Sequence, residues 1–180
     1  MRAFVGIHLP PLPALSSLLE DLRGCGADLK VVDERNLHFT LKFLGDIPDA
    51  QADPIVSRLR KAEPPTGYRV VVRDVGAFPD WKKLNVLWAG LEDPEGNMAR
   101  TFAITERVFA ELGFPVEARP FSPHVTIARK RSDRGRDAAK AVLQAHRNES
   151  FGDVGVAGPT LFRSTLTPQG PIYEAVGGVA

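Results

Sequence analysis

Apolar positions along the chain switch between two rhythms, a period of two and a period near 3.6, and the switches mark out its elements. Residues 3–9 (AFVGIHL) predict a strand ended by Pro10, Pro11 and Pro13. Leu12, Leu15, Leu18, Leu19 and Leu22 then recur at helical spacing, with Gly24 and Gly26 as the stop. A strand follows within NLHFTLKFLG (36–45), closed by GDIPD, and Ile55, Val56 and Leu59 predict a second helix ending before Pro64 and Pro65. YRVVVRDVGAF (68–78) and NVLWAGL (85–91) predict paired strands around the turn PDWKK. Met98, Phe102, Thr105, Val108, Phe109 and Leu112 form one helical stripe closed by Gly113. The segment SPHVTIAR (122–129) is again a strand, followed by the basic loop RKRSDRGRD and a helix on Ala138, Ala139, Val142 and Leu143. The remainder reads as short strands separated by Gly and Pro.

Two of these strands carry an unusual face. In the first, Phe39, Leu41 and Phe43 alternate with His38, Thr40 and Lys42; in the second, Val125 and Ile127 alternate with His124 and Thr126. One surface strand would account for a single polar face, but not for a His-x-Thr repeated 86 residues apart (38 to 124), close to half the chain. Each half runs helix, His-Thr strand, helix, strands. The expected architecture is therefore α+β: one bilobal domain over residues 1–180, a diverged duplication in two pseudo-symmetric lobes. Each lobe would be an antiparallel sheet with two helices, contributing one His-Thr strand to a central cleft.

Composition narrows the chemistry. The 180 residues are 43% hydrophobic and 25% charged, with net charge +1, which suits a globular core and speaks against a long non-specific nucleic-acid footprint. Cys25 stands alone, so an intrachain disulfide and a cysteine-rich zinc site are excluded and a reducing, cytoplasmic setting is expected. The opening MRAFVGIHLPPLP is too short and proline-broken for a signal segment, and no stretch reaches the roughly 20 apolar residues of a membrane span. His8 and His146 have no zinc-like spacing, so no metal and no cofactor are expected. Neither a G-x-S-x-G elbow nor a G-x-x-x-x-G-K-[ST] loop is present.

A His and a Thr two residues apart on a strand lie roughly 6 to 7 Å apart on one face and reach a single oxygen-rich group. The hydroxyl donates to a non-bridging oxygen while the imidazole handles a proton. Two such pairs facing one another suit general acid–base cleavage of a phosphodiester, a strained cyclic phosphate above all. Which histidine gives the proton and which takes it stays open on this reading.

NLHFTLKFLG and RPFSPHVTIAR resemble the paired H-x-T-x motifs of the two-histidine (2H) phosphoesterases, and most of all the RNA 2′,3′-cyclic phosphodiesterases, also called 2′-5′ RNA ligases. RAFVGIHLP, VLWAGL, ELGFP and LFRSTLTPQGPIYEAV extend that resemblance nearly end to end. It implies metal-independent hydrolysis of RNA 2′,3′-cyclic phosphate ends to 2′-phosphates, with RNA or nucleotides as partners. It further implies His38 as proton donor to the departing 3′ oxygen, His124 as the base that activates water, and Thr40 and Thr126 as phosphate holders. Ligation through a 2′-5′ bond is the same chemistry reversed. His8, where an acidic residue is expected, and Asn85, where a basic one is common, depart from the pattern.

Lys42, on the face of His38, is a candidate to neutralise phosphate charge or a solvated strand end. Arg129 is a candidate phosphate clamp. Arg129, Lys130, Arg131, Arg134 and Arg136 form the densest basic run, a candidate RNA-backbone contact or a solubilising surface. Phe4 is a candidate base-stacking residue or a packing residue. A monomer is expected, and two other readings stay open: a module that binds RNA ends without turnover, and a diesterase for another small cyclic phosphate, such as one derived from ADP-ribose.

Overall fold

In the computed structural model, which describes residues 1–179, the elements run β1 (Arg2–His8), α1 (Pro13–Gly24), β2 (Leu29–Val31), β3 (His38–Asp46), α2 (Ala52–Lys61), β4 (Tyr68–Phe78) and β5 (Val86–Glu92). They continue with α3 (Asn97–Glu111), β6 (His124–Lys130), α4 (Arg136–Ala145), β7 (Ser150–Val156), β8 (Thr160–Thr167) and β9 (Gly170–Gly178). Pro13 opens α1 with its φ already helical, and Leu15, Leu18, Leu19 and Leu22 bury one stripe of it. α2 buries Ile55, Val56 and Leu59 and ends on Arg58, Arg60 and Lys61, cations that suit the negative end of the helix dipole. The start of α3 is held by Asp93, whose Oδ2 accepts the Met98 N–H at 2.6 Å.

The strands form two antiparallel sheets, one in the order β3-β1-β8-β9 and the other β2-β6-β5-β4-β7. Helices α2 and α3 cover the first; α1 and α4 cover the second. Each lobe is thus a sheet with two helices, as the periodicities predict. Burial is close to complete at Leu18, Leu19 and Leu59 on the helices and at Val5, Leu87, Val125 and Ile127 on the strands. Each such side chain contributes about 1.5–3 kcal/mol relative to exposure.

One expectation needs correcting: the halves of the sequence are not the lobes. α1, β4 and β5 come from the first half yet belong to the lobe of the second His-Thr strand, while α3, β8 and β9 cross the other way. The order helix, His strand, helix, hairpin does repeat, and each copy gives its first helix and its hairpin to the opposite lobe. The exchange ties the two sheets into one unit, with β3 and β6 passing against each other where the lobes meet.

Alternation along β3 also fails after Leu41. Gly6 pairs with Thr40 and Val5 with Lys42, which leaves Leu41 as the extra residue of a β-bulge. The bulge reverses the two faces, so Lys42 turns into the protein and Phe43, 72% exposed, turns out. Among the described residues, no helix is long and apolar enough to cross a membrane, and no three His, Cys, Asp or Glu side chains group as metal ligands.

Candidate active site

The two His-Thr pairs occupy equivalent places on β3 and β6. All four side chains are half-buried, between neighbours that point into the core. His38 Nδ1 lies 2.6 Å from the Asn36 carbonyl and His124 Nδ1 lies 2.6 Å from the Ser122 carbonyl. A carbonyl oxygen only accepts, so Nδ1 carries the proton in both rings. Each neutral ring therefore keeps its lone pair on Nε2, and each protonated ring gives its second proton from Nε2.

Aromatic walls hold both rings. Phe4 stands 4.8 Å and Tyr173 5.0 Å from the His38 ring, and Phe78 stands 4.9 Å and Trp88 6.3 Å from the His124 ring, centroid to centroid. Gly76 makes the Trp88 wall possible, because a Cβ there would come within 2.1 Å of the indole. Burial among these groups pushes the pKa of each histidine below its ordinary value. The carbonyl hydrogen bonds oppose that shift, while the Arg129 charge adds to it at both rings and His8 adds to it at His38.

That shared influence locates Arg129. After Thr126, β6 carries a bulge at Ile127, since Leu87 pairs with Ala128 and Trp88 with Thr126. The bulge brings Arg129 back to the side of His124, exposed, and its field also reaches Tyr173 in the other lobe. The rest of the basic run is already engaged. Lys130 and Arg136 pair with Asp133, and Arg131 and Arg134 with Asp28. That loop is thus a braced turn in which four cations share two carboxylates, Asp28 and Asp133.

Of two other candidates, Lys42 stands elsewhere than expected and Phe4 takes the packing role open to it. Lys42 donates to Glu106 Oε1 and to the Pro115 carbonyl, both at 2.7 Å, on the side of β3 away from His38. Its ammonium is spent within the protein. Phe4 is 4% exposed and enclosed by His38, Phe162 and Tyr173, so it packs under the site rather than offering a free face. Beside His38 opens a cavity of about 360 Å³, lined by aromatic Phe4, Phe162 and Tyr173 and by the polar groups of His8, Arg35 and Thr160. His8 is the cross-strand partner of His38 and hydrogen-bonds the Arg35 carbonyl at 3.0 Å. Asn85 serves the turn, its backbone bonding Phe78 and Lys130.

The site residues missed from sequence are Tyr173, Phe162, Thr160, Phe78, Trp88 and Phe43. Phe43 lies on β3 itself, turned outward by the bulge; the others look like ordinary strand core, and only the pairing, within each sheet, of strands from opposite halves of the sequence brings them to the histidines.

The chain's likeness to known proteins follows the same repeat. The LigT-like phosphoesterase family matches residues 7–88 and 91–173, one segment for each His-Thr strand. The RNA 2′,3′-cyclic phosphodiesterase of Methanothermobacter thermautotrophicus is 34% identical over 183 residues, covering 96% of this chain and 95% of its own. That of Aquifex aeolicus is 34% identical, covering 98% and 95%. A crystal structure from Thermus thermophilus superposes with a TM-score of 0.76 at 28% identity, covering 98% of this chain and 95% of that one. The fold is also that of Escherichia coli LigT complexed with 3′-AMP, with a TM-score of 0.69 at 23% identity, covering 97% and 94%. The chain belongs to the LigT-like phosphoesterase family, within the two-histidine phosphoesterases.

Proposed function

We propose that this protein hydrolyses RNA 2′,3′-cyclic phosphate ends to 2′-phosphomonoesters, without a metal, by acid–base catalysis between His38 and His124. The observation that carries the proposal is the matched pair of half-buried imidazoles. Each has Nδ1–H fixed on a carbonyl and an Nε2 with no hydrogen-bond partner among the described residues, on strands that meet at the lobe junction. Binding alone would not call for two proton-transfer groups of fixed tautomer. The activity that names the relatives supplies the substrate class.

In this reading His124, neutral, takes a proton from water through Nε2 as the water oxygen bonds to phosphorus. The bond from phosphorus to the 3′ oxygen breaks, and His38, protonated, gives that oxygen its Nε2 proton. The product is a 2′-phosphate beside a free 3′ hydroxyl, and each histidine ends with the other's starting charge, restored by exchange with water. The hydroxyls of Thr40 and Thr126 donate to the non-bridging oxygens, and Arg129 balances the added negative charge. The cavity beside His38 receives the terminal nucleoside, with Phe162 and Tyr173 against its base. Assignment of acid and base to particular rings rests on the family resemblance; the local geometry of the two is alike.

The test is turnover of an oligonucleotide ending in a 2′,3′-cyclic phosphate, in EDTA, with the product ends identified. A 2′-phosphate is expected; a 3′-phosphate product, or tight binding with no turnover, overturns the proposal.

A further inference from the structure

We propose that Lys42 is a positioning residue for His124, acting across the lobe boundary by fixing the loop that ends in the carbonyl of Ser122. This rests on the reading above, in which His124 is catalytic. Lys42 belongs to β3, four residues beyond His38, yet its ammonium contacts α3 and the loop leading into β6. It donates to Glu106 Oε1 and to the Pro115 carbonyl, both at 2.7 Å, while Glu106 Oε2 accepts the Glu117 N–H at 2.7 Å. The two side chains are only 6% and 12% exposed. One lysine and one carboxylate thus hold the loop at two backbone groups.

The other end of the loop is held by the same strand, β3, and by β5 of the opposite sheet. Phe39, between His38 and Thr40 on the core side, meets Phe121 edge-on at 5.9 Å, and Phe121 lies 5.0 Å from Phe102 of α3. The Leu91 N–H donates to the Pro123 carbonyl at 3.2 Å. Ser122 stands between these anchors, and its carbonyl accepts the His124 Nδ1–H. Residues 118–120, between the two anchored ends, are exposed, so among the described residues nothing else buried fixes their path.

The first motif is braced reciprocally. The loop before His38 hangs from β6 through the Val32 N–H, which donates to the carbonyl of Ile127 at 2.9 Å, and from β9 through Asn36 Nδ2 on the Pro171 carbonyl at 3.0 Å. Each histidine's orienting loop is thus held by the strand carrying the other histidine. The brace at His38 is made of neutral hydrogen bonds, and the brace at His124 is a buried ion pair. Such a pair has a large desolvation cost, and apolar replacements of both partners are often no less stable. What an apolar pair cannot do is hold Pro115 and Glu117 by their backbone groups.

That difference supplies the test. Lys42→Met, the double variant Lys42→Met/Glu106→Leu and the near-isosteric Glu106→Gln are compared with wild type by three readouts. These are urea unfolding, kcat and KM on a 2′,3′-cyclic-phosphate-ended oligonucleotide, and histidine tautomers from long-range ¹H–¹⁵N NMR. The expected result is that the double variant regains stability lost in Lys42→Met, while kcat stays about 10–100-fold low, as for a misplaced catalytic group, with KM within about twofold. His124 then shows mixed tautomers and His38 keeps a single one. Glu106→Gln, which preserves shape, moves the same two readouts in the same direction by less. Recovery of kcat together with stability, or an unchanged His124 tautomer in all three variants, overturns the proposal. The tautomer readout needs no turnover. Failure of the wild type to hydrolyse the substrate would therefore count against the proposed function alone.

Discussion

Set side by side, β3 and β6 are the same device built twice and then furnished differently. Both place a histidine at the first position, bind its Nδ1–H to the carbonyl two residues earlier at 2.6 Å, and follow with a threonine at the third position. Both carry a bulge at the fourth position, Leu41 and Ile127, which turns the fifth residue inward and the sixth outward. There the likeness ends. The fifth residues are Lys42, an internal brace, and Ala128, plain core; the sixth are Phe43, an exposed aromatic ring, and Arg129, an exposed guanidinium with no carboxylate partner among the described residues. What stayed alike is the His-Thr unit with its Nδ1–H fixed on a carbonyl. What diverged is the surface around it, and in the proposed function that difference would let a symmetric pair of histidines hold an asymmetric substrate in one direction.

The first way to break this comparison is to remove one member of the matched unit. His38→Ala and His124→Ala are each expected to lower kcat by about 10²–10⁴-fold, the usual worth of one acid or base. Because the two act in one step, the double variant should lose far less than the product of the single losses. A single variant retaining more than a tenth of wild-type kcat would mean that its ring moves no proton. The same pair governs pH dependence. The base works only above its pKa and the acid only below its own, and burial lowers both. Both limbs of the bell in kcat/KM, which reports free enzyme, should therefore lie below the ordinary histidine value of about 6.5. These limbs belong to the coupled pair rather than to either ring. In kcat, a bound phosphate anion favours the imidazolium forms and the bell should move back up.

Arg129 gives the next largest effect. Its charge reaches both rings, so Arg129→Met should lower kcat by about 10²-fold, as loss of one preorganised group on a developing oxyanion does. Lysine should restore only part of it, having a point charge in place of a planar fork. The pH profile adds a sharper mark. Removing a cation that depresses both imidazoliums should shift both limbs of the free-enzyme bell upward. A shift confined to one limb would show that Arg129 serves a single lobe.

The repeat explains how much of the site could be read from the chain. His38, Thr40, His124 and Thr126 were legible because strict alternation holds up to each bulge, and the repetition separates them from surface decoration. Lys42 and Phe43 exchange their expected faces because a bulge leaves no mark in a run such as TLKF, where polar and apolar residues alternate without a break. Arg129 is legible as a candidate from its position at the strand exit, and the bulge at Ile127 turns it to the side of His124. The aromatic walls were not legible, since Tyr173 and Trp88 read as ordinary core until strands from opposite halves of the sequence are paired. The helices and most strands were legible from period alone. The lobe exchange was not, because periodicity says which face of a helix is apolar and never which sheet will cover it.

Phe43 tests the comparison at its weakest point, where the repeat offers a ring against a guanidinium. A side chain 72% exposed contributes little to folding, so Phe43→Ala should leave the urea midpoint nearly unchanged. If its ring carries a base next to the scissile phosphate, the loss appears in KM on oligonucleotides, about 10-fold for one stacked base, with kcat almost intact. A mononucleotide 2′,3′-cyclic phosphate separates the two places a base can lie. Seated in the cavity beside His38, its single base does not reach Phe43, so its KM should not change. An equal rise in KM for mononucleotide and oligonucleotide would put the terminal base on Phe43 instead and leave the cavity to another part of the substrate. A rise in KM confined to oligonucleotides would give the outward turn after each bulge a division of labour, the ring in one lobe for the base and the guanidinium in the other for the charge.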